Sequence, residues 1–160
     1  MSESQQTINI ITADFITKEF LTVFQRVWDT SIALPVKSLD STSTECYNYP
    51  CCGAVAWIGG SWTGNLRIVM PCELAAVIAG RMLQIGVPSD QQIHDALREL
   101  ANMLAGNLKS ILPGRCGLAT PGSFIVFSES EIDDEFTPIL RGCYQSCEMP
   151  LYVTLNSLHQ

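Results

Sequence analysis

Three polar side chains stand at spacings that let them act together: Asp95, Glu99 four residues on, and Asn102 three residues after that. At 100° per residue, with Ile93 set to zero, they fall at roughly 200°, 240° and 180°, so on a helix they make one patch. Side chains three and four apart are stacked neighbours there. A carboxylate accepts hydrogen bonds and can pair with a partner's lysine, while a carboxamide donates and accepts at once. Hydrolysis of a phosphoryl group chiefly needs a water held in line with the leaving oxygen, and a fixed amide can hold it. No nucleophilic side chain is then required. Gly106 lies four residues past Asn102 on the same line and costs about 1 kcal/mol relative to alanine in a helix interior. Its bareness would let a partner approach closely. The same residue types are ordinary on a solvated helix face, so chemistry alone leaves both readings open.

The element that must position them is the clearest in the chain. A helix is predicted over residues 89–112, with Ser89 as N-cap and Gln92 three residues on completing a capping box. Ile93, Ala96, Leu97, Leu100, Leu104, Leu108 and Ile111 fall within about 60° of one direction and must face the core. The polar patch points away from that stripe, and Pro113-Gly114 stops the helix.

Around it the periodicity predicts a helix over 13–29, with Thr12 as N-cap and Phe15, Ile16, Phe20, Val23, Phe24 and Val27 on its buried face. An extended piece is expected at 34–39 and a polar loop at 40–45. A hairpin follows: strand 54–58, a break at Gly59-Gly60, and strand 62–70. Pro71 suits the first turn of a further helix containing Ala75, Ala76, Ile78, Ala79 and Leu83, which Gly86 closes. Strands are predicted at 123–127, 139–144 and 151–155, with an acidic turn at 129–135. Helix, strands, two helices and strands, in that order, predict an α/β chain of the α+β type. Its sheet is largely antiparallel with helices packed on it, and residues 1–160 read as one domain.

The run D-A-L-R-E-L-A-N-M-L-A-G-N-L-K-S-I-L, Asp95 to Leu112, resembles the signature helix of the CheX/CheC/FliY phosphatases of bacterial chemotaxis. That signature has an acidic or serine residue, three others, Glu, two others and Asn, with a Pro some twenty residues later. Pro121 stands nineteen positions after Asn102, and Ala105-Gly106-Asn107 is also similar to the family. The likeness is strong over about 25 residues and architectural elsewhere. It implies an enzyme that dephosphorylates the aspartyl phosphate of a CheY-type response regulator. Asn102 would orient the attacking water and Glu99 would contact the receiver's lysine, with Asp95 and Gly106 on the partner-binding surface. The resemblance gives the chain no cofactor of its own, since the receiver supplies Mg²⁺. CheC-type members carry a second copy of the motif. Here the first helix offers Glu19 followed by Thr22 rather than Asn, so one active site per chain and a CheX-like homodimer are implied.

Bulk composition narrows the partners. Apolar residues make up 47% and charged residues 16%, with a net charge of −7, which argues against nucleic acid as a partner. Scattered basic residues offer no patch for anionic lipid. No apolar stretch approaches the roughly 20 residues a membrane span needs, and from its polar start no signal peptide is expected. A cytoplasmic protein is expected. Seven cysteines, an odd number with Cys51 and Cys52 adjacent, make a poor disulfide framework. Cys46, Cys51, Cys143 and Cys147 lack paired zinc-ligand spacing, so no metal site is expected and the cysteines read as small buried hydrophobes. Asn107 reads as a structural amide at the edge of the buried stripe, and His94 as solvent-facing. Two other functions stay open: a non-catalytic module of the same fold that binds a receiver or motor-switch component, and a thiol or metal protein built on the cysteines.

Overall fold

Alternating apolar residues decide where the sheet is covered. In strand β2 (Cys51–Gly60), Cys52, Ala54, Ala56 and Ile58 are buried toward one side. Leu66, Ile68 and Met70 do the same in β3 (Gly64–Pro71), and Leu151, Val153 and Leu155 in β7 (Met149–Ser157). A period of two puts them on one face, where they form a single core with the helices. The computed structural model describes residues 3–39, 50–112, 114–127 and 137–158. The expected loops at 40–45 and 129–135, and Cys46, lie outside the described residues.

All strand pairs are antiparallel. With β1 (Lys37–Ser38) and β6 (Thr137–Ser146), the order is β1-β6-β7-β3-β2. Two short strands share the outer edge of β2: β4 (Cys116–Leu118) along Ile58 to Gly60, and β5 (Gly122–Val126) along Cys51 to Val55. Three helices, α1 (Glu3–Ser31), α2 (Cys72–Leu83) and α3 (Asp90–Leu108), complete the α+β fold that the element order predicts.

On α1, Ile16, Phe20, Val23, Phe24, Val27 and Trp28 are buried. Phe24 stacks on Trp28 at 5.4 Å and on Tyr144 of β6 at 4.0 Å between ring centroids. The helix ends where Trp28 Nε1 donates to the Leu34 carbonyl (2.9 Å) and Ala33 turns left-handed, φ 56°. Arg81 of α2 donates to the freed carbonyls of Ile32 (3.1 Å) and Ala33 (2.8 Å), so a cation meets the negative end of the α1 dipole.

Several boundaries differ from the sequence reading. α1 begins at Glu3, so Thr12 lies inside it rather than capping it; Glu and Gln in the added turns are good helix formers. Phe15 is 51% exposed because it sits roughly 100° from Ile16 on the wheel. Gly59 and Gly60 continue β2, and the turn falls at 61–63. α2 closes at Gln84, left-handed at φ 56°, rather than at Gly86, with Ile85 N–H donating to the Gly80 carbonyl at 3.0 Å. The β4 strand and the full length of β6 and β7 exceed what apolar runs alone predict.

The reading of every cysteine as an unpaired hydrophobe is also corrected. Cys52 and Cys72 form a disulfide, their Cα atoms 5.1 Å apart. The hairpin register explains it: Cys51 lies opposite Pro71, so the chain beyond β3 turns back beside Cys52, and Cys72 N–H donates to the Pro50 carbonyl at 3.1 Å. Cys51 and Cys143 lie outside this disulfide and are buried. β3 and β7 stand between their strands, a gap of roughly 14 Å at the usual strand spacing, too wide for one metal ion.

Candidate functional site

The sequence at the start of α3 fixes its direction. Ser89 Oγ accepts from Gln92 N–H at 3.2 Å and Gln92 Oε1 accepts from Ser89 N–H at 2.9 Å, so the predicted capping box is present. Ala96, Leu97, Leu100, Ala101, Leu104, Ala105 and Leu108 are buried, which turns the opposite side outward. That side carries Asp95 and Glu99, both exposed, and Asn102 and Gly106, both half-buried. α3 ends four residues short of the expected 112; Ser110 Oγ donates to the Asn107 carbonyl (2.8 Å) in the turn beyond it.

Within this patch the side chains are not equivalent. Asp95 Oδ1 takes an ion pair from Arg98 and a hydrogen bond from Gln91 Nε2 at 3.0 Å. Arg98 uses another nitrogen, Nη1, to donate to Ser123 Oγ on β5 at 3.2 Å. The guanidinium therefore ties Asp95 to its own helix and the helix to the edge strand. Glu99 and Asn102 have no hydrogen bond or ion pair among the described residues. The carboxylate and the amide that can meet an outside group are these two.

The edge beside them is interrupted. β4 ends at Leu118 and β5 begins at Gly122, with Ala119 N–H donating to the Trp57 carbonyl (3.1 Å) in between. Pro121 lacks the N–H a continuous strand would need. Arg98 reaches Ser123 just past the break, and a Cβ on Gly106 would meet Leu118 Cδ1 just before it, at 3.8 Å. Asn102 is four residues from each along the helix, so it lies opposite the interruption at 119–121. That 3.8 Å is an ordinary packing distance, so no neighbour in the chain demands glycine at 106.

On the other flank, Asn107 Nδ2 donates to the Met103 carbonyl (2.8 Å) and its Oδ1 accepts from Arg26 Nη2 of α1 (3.0 Å). It is the structural amide the sequence suggested. His94 departs from expectation: it is half-buried, and its Nδ1 is buried without a partner among the described residues. On α1, the Thr22 hydroxyl donates to its own helix at the Lys18 carbonyl (3.4 Å). Sequence reasoning passed over Arg98. The opposite charge three residues from Asp95 was legible, whereas Ser123 is 25 residues away and is brought close only by the fold. Among the described residues no three His, Cys, Asp or Glu side chains gather to hold a metal. With Asp95 given to Arg98, the patch does not fit a resident cation.

An antiparallel sheet covered on one face by three helices, one of them presenting an acid and an amide beside a broken edge strand, defines a class of α+β protein. The chain belongs to the chemotaxis phosphatase CheX family, whose profile matches residues 52–134, a span that holds α2, α3, β4 and β5. Solved structures share the fold. The chemotaxis protein CheX of Vibrio vulnificus superposes with TM-score 0.70 at 19% identity, over 88% of this chain and 95% of that one. The CheX–CheY–BeF3–Mg complex of Borrelia burgdorferi gives 0.71 at 16%, over 89% and 97%. A CheC-like superfamily protein from a Shewanella species gives 0.66 at 20%, over 88% and 96%. No curated protein matches the chain by sequence. Among the described residues no helix is long and apolar enough to cross a membrane.

Proposed function

We propose that this protein hydrolyses the aspartyl phosphate of a CheY-type response regulator. The observation that carries the reading is that Glu99 and Asn102 are outward neighbours on α3, one half-buried beside the broken edge, and neither is committed within the described chain. Family membership supports phosphatase chemistry, and the Borrelia burgdorferi complex supports CheY as the partner type.

In this account Glu99 pairs with the receiver's lysine and sets the register. The Asn102 amide accepts from and donates to a water, holding its oxygen in line with the acyl-phosphate P–O bond. The water oxygen bonds to phosphorus and the receiver's carboxylate leaves with the electron pair. The water's proton goes to the released phosphate. The receiver's Mg²⁺ neutralises the phosphoryl oxygens, and this chain brings only position, which is most of what such a transfer asks of a protein. The protein works as a homodimer in the cytoplasm, as the resemblance implies; light scattering that returns the mass of one chain overturns the dimer alone.

Phosphate release from a phosphorylated receiver with Mg²⁺ tests the reading. Asn102→Ala should lose about a hundredfold in rate, the scale of a misplaced reactant. Glu99→Ala should chiefly weaken receiver binding. Wild type no faster than the receiver's own decay, across the receivers of its organism, contradicts the proposal.

A further inference from the structure

The candidate site contains a cation that no step above uses. Arg98 lies between the two acids in sequence, three residues after Asp95 and one before Glu99. Its guanidinium spans from Asp95 Oδ1 on the helix to Ser123 Oγ on β5. The pair is only partly shielded, the Asp95 and Arg98 side chains being 53% and 32% exposed, so Asp95 stays within reach of an approaching protein. A second donor, Gln91 Nε2, holds the same carboxylate oxygen. The consequence is electrostatic sorting: of two acids one turn apart, Asp95 is neutralised in place and Glu99 keeps its charge free of any partner among the described residues.

We propose that Arg98 is a positioning residue that sets the register of the receiver by masking Asp95, so that the partner's lysine meets Glu99 alone. The inference rests on the phosphatase reading above. Asp95 and Glu99 are about 6 Å apart along the helix axis. A lysine captured by Asp95 instead would carry the acyl phosphate one turn away from Asn102, and displacement on that scale is more than enough to misalign the water. Binding would survive, because an equivalent acid has been engaged. Hydrolysis would not. Asp95 thus acquires a role other than contact with the partner: it keeps Arg98 in turn from presenting an unpaired positive charge to the same lysine.

The test is a double-substitution cycle on Asp95 and Arg98, read in two ways: affinity for a beryllofluoride-loaded CheY-type receiver, and phosphate release at saturation. Arg98→Met keeps the apolar stem and removes the charge. It should leave affinity unchanged or tighter while the saturated rate falls at least tenfold. Asp95→Asn leaves the guanidinium unpaired beside Glu99 and should weaken binding about threefold, the size of an exposed charge effect. Asp95→Asn with Arg98→Met removes both charges and should restore rate and affinity to within about twofold of wild type. A brace between α3 and β5 cannot give that rescue, because both variants lacking Arg98 have lost the Ser123 bond. A double variant as slow as Arg98→Met overturns the inference, as does an Arg98→Met protein with the wild-type rate. If wild type itself does not accelerate release, the phosphatase reading fails first and takes this inference with it, an outcome recognisable before any variant is compared.

Discussion

Tyr144 shows how much one buried atom can cost. Its ring stacks on Phe24, yet its hydroxyl is buried without a hydrogen-bond partner among the described residues. A buried donor left unsatisfied costs on the order of 1–3 kcal/mol. Tyr144→Phe should therefore stabilise the protein at neutral pH by about 1 kcal/mol in urea unfolding, and a loss of stability would mean the hydroxyl is engaged. Residue-level features divide by distance in sequence. Asp95, Glu99 and Asn102 were legible as a patch because helical periodicity alone aligns them. The Asp95–Arg98 pair, three residues apart, was legible in the same way, but its tie to the edge strand was beyond reach because it depends on Ser123 arriving from another strand. The same limit hid the burial of His94 Nδ1.

At the scale of the element, α3 was legible almost whole: its cap, stripe and outward face all follow from neighbours within four residues. Its partners were not. The broken edge strand opposite Asn102 required two short segments, β4 and β5, and β4 is three residues long, too short for any alternation to register. α1 was read ten residues short at its start and two at its end; its opening residues, Glu3 to Thr7, are polar and read as a loop. Gly106 gives a test at this scale. Since Leu118 leaves room for a methyl group, Gly106→Ala should raise stability by up to about 1 kcal/mol. On the account above it should also weaken receiver binding, because the bare spot lies on the docking line. A variant that is more stable and binds unchanged removes Gly106 from the partner surface.

Across the whole molecule, stability should depend on redox state and on alkaline pH. The Cys52–Cys72 bond joins residues 20 apart and is expected to contribute about 3 kcal/mol through the unfolded chain. A reductant should lower the thermal midpoint of wild type and leave Cys72→Ala unaffected; equal midpoints with and without reductant would mean the bond adds nothing. Burial pushes the Cys51 thiol up from 9.0 to about 11 and the Tyr144 phenol up from 10.0 to about 12. Both groups hold their protons more tightly folded than unfolded. The stability they confer is complete below their ordinary values and is lost as pH climbs through the raised ones. Urea midpoints should fall from about pH 9 upward, and less steeply above about pH 10 in Tyr144→Phe. The fold class was legible from the order of elements. The disulfide was not, because its two cysteines meet only through the register of the β2–β3 hairpin.

The measurement that bears most directly on the central claim is phosphate release under saturating phosphorylated receiver and Mg²⁺, with Asn102→Ala set against wild type and receiver affinity measured on the same samples. Asn102→Ala should release phosphate about a hundredfold more slowly with affinity within about twofold of wild type. A variant that binds and releases phosphate as wild type does would show that Asn102 does not hold the attacking water.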